Sequence, residues 1–332
     1  MSFRDKTMSP STLDVSLSSK KSLFRCMVTA VMLTVLVTTA LILVGCAASA
    51  QPTSNPGTNT TSADTNASKT PTGAINVVSR EDGSGTRGAF VELFEVQSTD
   101  AQGKAVDATT LSAVITNSTS VMLTTVAGDN NAIGYISLGS LDTSVKALNI
   151  DGAQATTANV KSGSYTISRP FNIATKGTPS PEAQDFIDFI LSTEGQKVVA
   201  DNHYIAANEK ATAYKNSGVS GKLVVAGSSS VTPVMEKLQE AYATLNPGLE
   251  VEIQQGDSST GMSSTIDGIC DIGMASRELK DSETGSGLIS QIIAIDGIAV
   301  IVNNSNGLSE LDKEQVRDIF LGDVTRWEEL GA

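Results

Sequence analysis

The chain has 332 residues, 40% hydrophobic and 18% charged, a composition that excludes a disordered or fibrous protein. Its formal net charge of −13 argues against nucleic-acid binding, which relies on basic surface to displace counterions from phosphates. Aromatic residues make up only 4%, so the core must rest on Val, Ile, Leu and Ala.

The chain begins with an export pattern. Lys20, Lys21 and Arg25 precede an apolar run over 26–44 that ends in Leu43-Val44-Gly45-Cys46. A basic stretch, an apolar stretch and a small residue before a cleavage point mark a secretory signal. The tetrad resembles a bacterial lipobox, in which the Cys46 thiol is acylated and becomes the mature N-terminus. The alternative is an uncleaved membrane helix, since about 19 apolar residues can span a bilayer. Either way the protein is expected outside the membrane and attached to it. Residues 46–72 are rich in Ser, Thr, Asn, Ala and Pro and read as a flexible tether. Without residues 1–45 the chain keeps 18 basic and 34 acidic side chains, a balance of −16.

From Gly73 onward, short β-rich runs alternate with helical patterns, which predicts an α/β fold. The spacing predicts a strand at 75–78, a polar turn at 83–86, a helix at 87–94 and a buried strand at 132–136. One amphipathic helix is expected over 181–200. The second half repeats the theme: a strand at 222–226, the turn 227–230, and a helix from Pro233 to Asn246-Pro247-Gly248. A strand at 251–253, the turn 256–261, a short helix and a strand starting at Asp271 follow. The apolar run 292–302 reads as a central strand covered on both faces, and 311–320 as a closing helix. Cys26 and Cys46 lie in the targeting region, so Cys270 is the one cysteine of the folded part. It can build neither an intrachain disulfide nor a thiolate cluster. His203 is the only histidine and reads as a surface or packing residue. No metal and no cofactor are expected.

Three turns share one design: a strand, a Gly/Ser/Thr loop, then a helix start. They are Gly83-Ser84-Gly85-Thr86, Gly227-Ser228-Ser229-Ser230-Val231 and Asp257-Ser258-Ser259-Thr260-Gly261. Each offers unpaired backbone N–H groups at the positive end of a helix dipole, suited to a tetrahedral oxyanion. Singly, such a turn is most often a simple N-cap. Together, with Arg80 just before the first, they point to an anion site, because a guanidinium gives phosphate a charge-assisted fork.

These segments resemble the phosphate-binding proteins of phosphate ABC transporters. The resemblance rests on Val77-Val78-Ser79-Arg80-Glu81-Asp82-Gly83-Ser84-Gly85-Thr86-Arg87 and Gly227-Ser228-Ser229-Ser230-Val231-Thr232-Pro233. It continues in Asp271-Ile272-Gly273-Met274-Ala275-Ser276-Arg277, Asp296-Gly297-Ile298-Ala299-Val300 and Arg326-Trp327. It implies a two-lobed, type II periplasmic-binding-protein clamshell over 73–332. It also implies inorganic phosphate as ligand, an ABC permease as partner and a monomer without enzymatic activity. By the same resemblance Arg80, Ser84, Gly85 and Thr86 bind phosphate, Asp82 orients Arg80, and Ser229, Ser230, Val231 and Ser259 complete the site.

Two departures stand out. Where some relatives follow the serine matching Ser276 with an Asp that accepts the proton of hydrogen phosphate, this chain has Arg277, which leaves Asp82 and Asp257 as candidate acceptors. The substitution keeps open another oxyanion, such as sulfate or molybdate. The segment order also differs: the Gly227 loop, first in the usual order, comes second here, as in a circular permutant. A truncated tandem, or halves exchanged between two chains, are the alternatives. A single permuted domain would place 146–292 in one lobe and 73–145 with 293–332 in the other, crossing near 137–145 and 292–296. A secreted hydrolase using Ser84 or Ser230 is disfavoured, because one histidine and no G-x-S-x-G elbow leave no base for the nucleophile.

Overall fold

Helix caps written into the sequence decide where most helices start. The computed structural model describes residues 71–331 except Lys104; the signal segment, Cys46 and the tether to residue 70 lie outside the described residues. β1 (Asn76–Arg80) turns through Gly83 into α1 (Gly85–Leu93), which Ser84 caps by accepting the Arg87 N–H at 3.3 Å. A hairpin of β2 (Gln97–Thr99) and β3 (Ala105–Asp107) follows, then β4 (Val114–Thr116) and α2 (Thr119–Ala127), capped by Ser118. Next come β5 (Ala132–Ser137), β6 (Val145–Ala147), β7 (Asn149–Ile150) and α3 (Thr157–Ser162).

β8 (Ser168–Lys176) leads to α4 (Pro181–Ile190), α5 (Thr193–Asp201) and β9 (Ile205–Ala206). The single helix expected over 181–200 is therefore two. Ser192 breaks it by capping α5, its Oγ accepting the Gly195 N–H at 3.2 Å. β10 (Gly221–Ser228), α6 (Thr232–Leu245), β11 (Leu249–Gly256), α7 (Ser258–Ile266), β12 (Ile272–Ala275) and α8 (Asp281–Gly285) complete the second region. The 16-residue β13 (Leu288–Asn303) runs back, followed by β14 (Glu310–Leu311) and α9 (Lys313–Leu321).

The strands lie in the order β11-β10-β12-β8-β13-β5-β1-β4, with β6 and β9 also paired to β13. β10 is parallel to β11 and β12, and β1 is parallel to β4 and β5. β13 joins the two parallel groups: its first half is antiparallel to β8, and Ile298–Val302 is antiparallel to β5. Its second half is buried throughout, as its apolar run requires.

Two main cores follow from this division. One gathers Val77, Phe90, Tyr135, Ile150, Ile298, Phe320 and Trp327; the other gathers Phe171, Phe186, Val225, Met235, Tyr242 and Ile293. Residues 146–167, expected in the second lobe, pack on the first. Leu148, Ile150, Val160, Tyr165 and Ile167 are buried in its core, and β6 and β7 pair with β13 and β14. The chain thus crosses between lobes at 168–170 rather than near 137–145, and again at 295–297. Near the two ends of the described chain, Ala74 pairs with Arg326 and the Ile75 N–H donates to Thr325 O at 2.8 Å.

Candidate functional site

The helix-start loops meet between the lobes. Arg80, at the end of β1, is 2% exposed. Its Nη2 donates to Ser229 Oγ of the other lobe at 3.0 Å, and its Nη1 to Thr119 Oγ1 at 3.5 Å. Tyr135 stands behind this strand end. Its hydroxyl accepts the Arg80 backbone N–H at 3.2 Å and pairs with Ser79 Oγ at 2.8 Å, while burial pushes its pKa up to about 12.

The carboxylate on Arg80 is Glu81, not Asp82. Glu81 Oε2 and Oε1 accept from Nε at 2.8 Å and Nη2 at 2.7 Å, a bidentate pair. Asp82, with its side chain 95% exposed, reaches Arg87 at 2.8 Å instead. Arg87 also holds Asp107 at 2.6 Å and donates to the Arg80 carbonyl at 2.8 Å, so it braces the loop from outside.

A buried chain of hydroxyls spans the lobes: Thr86 Oγ1 lies 2.7 Å from Ser230 Oγ, which lies 3.4 Å from Thr119 Oγ1. Thr119 opens α2 and was not among the residues expected here. The only sequence signal was Asn117-Ser118-Thr119-Ser120 after a short β run, a fourth strand-to-cap turn without a glycine. Gly85 and Thr86 open α1, so their backbone N–H groups have no intrahelical partner. Gly85 is required by close approach: a Cβ there would lie 2.5 Å from Ser258 Oγ and 2.7 Å from Ser276 Oγ.

The other expected residues take varied places. The Val231 N–H donates to Ser228 O at 3.0 Å and its side chain sits in the second core, so it shapes the loop rather than facing an anion. Ser258, not Ser259, is the buried serine of the third loop, its Oγ accepting the Ser276 N–H at 3.2 Å. Ser276 Oγ in turn accepts from Ser228 Oγ at 3.0 Å. Ser259 lies at the lip, where its N–H donates to Gly83 O at 3.3 Å and its Oγ accepts from Arg277 at 3.3 Å. Asp257 caps α7, spending its oxygens on the Thr260 N–H at 2.8 Å and Oγ1 at 2.6 Å. Arg277 is held by both oxygens of Glu283, at 2.7 and 2.9 Å. Burial would raise the Glu283 pKa, but the Arg277 bonds outweigh it and hold the carboxyl below its ordinary value. His203 is exposed and Cys270 is buried against Thr265, neither among the residues that meet at the cleft.

A model of the PBP superfamily domain matches residues 48–194 and 210–332. The chain belongs to the PBP superfamily. It is 59% identical over 259 residues to phosphate-binding protein PstS 2 of Streptococcus agalactiae, covering 78% of this chain and 88% of that one. The crystal structure of a phosphate ABC transporter phosphate-binding protein from Streptococcus pneumoniae matches with a TM-score of 0.63 and 48% identity, covering 78% of this chain and all of that one. Phosphate-binding protein PstS of Bacillus subtilis matches over a shorter stretch, 32% identical over 115 residues, or 34% of this chain and 38% of that one. The two-lobed α/β clamshell is therefore this superfamily's fold. Within it, the contacts Arg80–Ser229, Thr86–Ser230 and Ser259–Gly83 hold the lobes together around the cleft.

Proposed function

We propose that this protein captures inorganic phosphate between its lobes and delivers it to an ABC permease, as an exported binding protein without catalytic activity. One observation carries the reading: Arg80 is buried at the meeting point of two lobes, among hydroxyls and the open N–H groups of helix starts. The phosphate-binding relatives support it. Arg80, Ser84, Gly85, Thr86, Thr119, Ser229, Ser230 and Ser258 are the ligand-facing set, and hinge closure traps the anion. Isothermal titration with inorganic phosphate tests this: Arg80→Ala should weaken binding by roughly ten- to a hundredfold, the worth of charged hydrogen bonds. Undetectable phosphate binding by the intact folded protein would sink the reading.

A second oxyanion, sulfate or molybdate, is favoured by one feature. Arg277 is spent on Glu283, so the position after Ser276 offers no carboxylate to accept phosphate's proton. Competition by sulfate from pH 5 to 8 separates the two, since only phosphate changes protonation there.

Acylated Cys46 would anchor the protein, as a monomer, to the outer face of the membrane; Cys46→Ala should release it into the medium. The segments run in circularly permuted order within one chain. In support, the Ala74–Arg326 bridge brings the two ends of the described domain together, and the alignment to the Bacillus relative covers only 115 residues. Rejoining residue 331 to 73 and opening the chain within 211–219 should give a folded protein with unchanged affinity; failure to fold would oppose the permutation.

A further inference from the structure

The hinge holds a set of buried polar groups that protein contacts leave unmet. Among the described residues, eight buried side-chain polar atoms lack a protein partner, and five belong to Ser137, Ser140, Tyr204 and Arg169, which supplies both Nε and Nη1. These residues surround the two strand crossings. Arg169 and Asp296 face each other across β8 and β13, with Nη2 donating to Oδ2 at 3.2 Å. Asp296 Oδ1 accepts the Gly139 N–H at 3.3 Å, and the two ionic side chains are 2% and 1% exposed. Tyr204 comes from the second core yet lies on Gly139 of the first lobe, where a Cβ would sit 2.7 Å from its hydroxyl oxygen. The Ser137 and Ser140 hydroxyls are near enough to affect the ionisation of Asp296 and Tyr204, but make no well-aligned hydrogen bond.

Buried donors without acceptors are rare in native proteins, and ordered water is their usual partner where three or so polar groups converge. An apolar filling is ruled out by the guanidinium, whose Nε and Nη1 hydrogens need acceptors. We propose that ordered water joins Arg169, Tyr204, Ser137 and Ser140 at the hinge, and that this hydrated Arg169–Asp296 pair sets the balance between open and closed lobes. The proposal rests on the protein being a closing clamshell, but not on phosphate being its ligand.

The pair makes that balance sensitive to acid. Asp296 faces Arg169 on β8, Tyr165 just before β8, Tyr204 after α5, and Ser137 and the Gly139 N–H at the end of β5; Arg80 on β1 acts through Arg169. Burial pushes the Asp296 pKa up to about 6 from an ordinary 3.8, against the pull of Arg169. On this proposal, opening lifts Tyr204 off Gly139, admits further water to the carboxyl and moves its pKa toward the ordinary value. The closed form therefore has the higher pKa, binds the proton more tightly and gains as pH falls through 6. Full hydration on opening would raise the closed-to-open ratio by at most about tenfold between pH 7 and pH 5, and by less to the extent that the hinge water already solvates the carboxyl.

Spin labels at Thr124→Cys and Glu240→Cys, one on each lobe, with Cys26 and Cys46 replaced by Ser, would report the interlobe distance of ligand-free protein from pH 8 to 5. The closed population should grow toward acid pH in this background and stay flat when Asp296→Asn is added. Tyr204→Phe should keep the acid step while shifting the closed fraction at every pH. A high-resolution crystal structure should show water bonded to Arg169 Nε or Nη1 and to the Tyr204 hydroxyl. The same pH profile with and without Asp296→Asn, or an Arg169 whose Nε and Nη1 touch only protein, overturns the proposal. No phosphate enters the measurement, so its failure is separate from failure of the phosphate reading, which titration decides.

Discussion

Replacing Gly83 by Ala should block closure while leaving each lobe folded. Gly83 does not sit in the left-handed region, so its backbone accepts an alanine. The obstacle is the other lobe: a Cβ at this position would lie 2.5 Å from Asp257 Cγ and 3.0 Å from Oδ2, with Oδ1 closer still. An ordinary contact needs about 3.5 Å, so the lip must part by about 1 Å or Asp257 must swing away. Swinging costs the α7 cap, roughly 1 kcal/mol, because both Asp257 oxygens are held by Thr260. Parting stretches the Ser259–Gly83 bond beyond its present 3.3 Å and the Arg80–Ser229 bond beyond 3.0 Å. Losing these would cost about 1–3 kcal/mol, or roughly five- to 150-fold in phosphate affinity. Titration calorimetry gives the affinity, and a ligand-free thermal melt gives the stability, which should hold within a degree or two of wild type. An unchanged Kd would refute the lip contact as part of closure. A large fall in the ligand-free Tm would show that Gly83 serves the fold instead.

Thr119→Val removes the hydroxyl between Arg80 and Ser230 and should weaken phosphate binding by roughly three- to tenfold, measured by titration; no change would place α2 outside the site. Glu81→Gln should weaken binding at least several-fold by loosening Arg80, whereas Asp82→Asn should change it less than about twofold, since Asp82 is an exposed partner of Arg87. The reverse ranking would restore Asp82 as the residue that orients Arg80. Asp185 accepts from Tyr214 at 2.5 Å, Tyr242 at 2.6 Å and Ser217 at 2.6 Å, fastening 214–217 to α4 and α6. Burial would raise its pKa, but these bonds outweigh burial and hold it below the ordinary value. Its stabilisation is thus present above the ordinary carboxylate pKa and lost as pH falls through the folded value. Urea melts should show Asp185→Asn destabilised by about 2–3 kcal/mol at pH 7, with the difference shrinking toward pH 3.

The turns were legible because glycine and hydroxyl residues at a strand end leave few other conformations, and Arg80 stood beside one of them. What sequence could not give was pairing. Glu81 and Asp82 are neighbours with the same charge, and only the direction in which the chain leaves β1 decides which one meets Arg80. Ser258 and Ser259 differ in the same way: one step along the first turn of α7 turns one hydroxyl into the cleft and the other toward Arg277. The lobe boundary was misplaced for a related reason. Residues 145–167 form two short strands and one short helix, too little pattern to show that they pair with β13 and β14. The long amphipathic run 181–200 concealed its break because Ser192 also suits a polar position on a continuous helix.

The acidic balance of the chain now has a physical account. Every arginine near the cleft already has its carboxylate: Arg80 with Glu81, Arg87 with Asp82 and Asp107, Arg169 with Asp296, and Arg277 with Glu283. The side chains there sum to little charge, so no basic pocket would offset a dianion bound at the proposed site. Four helices, α1, α2, α6 and α7, begin at the cleft, and each start carries about half a positive unit charge. Together they come to about two, opposite in sign to a dianion, and they act where water is excluded and dipoles count for more. In the proposed site Arg80 would contribute direction more than charge, its fork held by Glu81 and its backbone N–H by Tyr135. Formal charge counts side chains alone, which is why a chain at −13 can carry an anion site that its composition conceals.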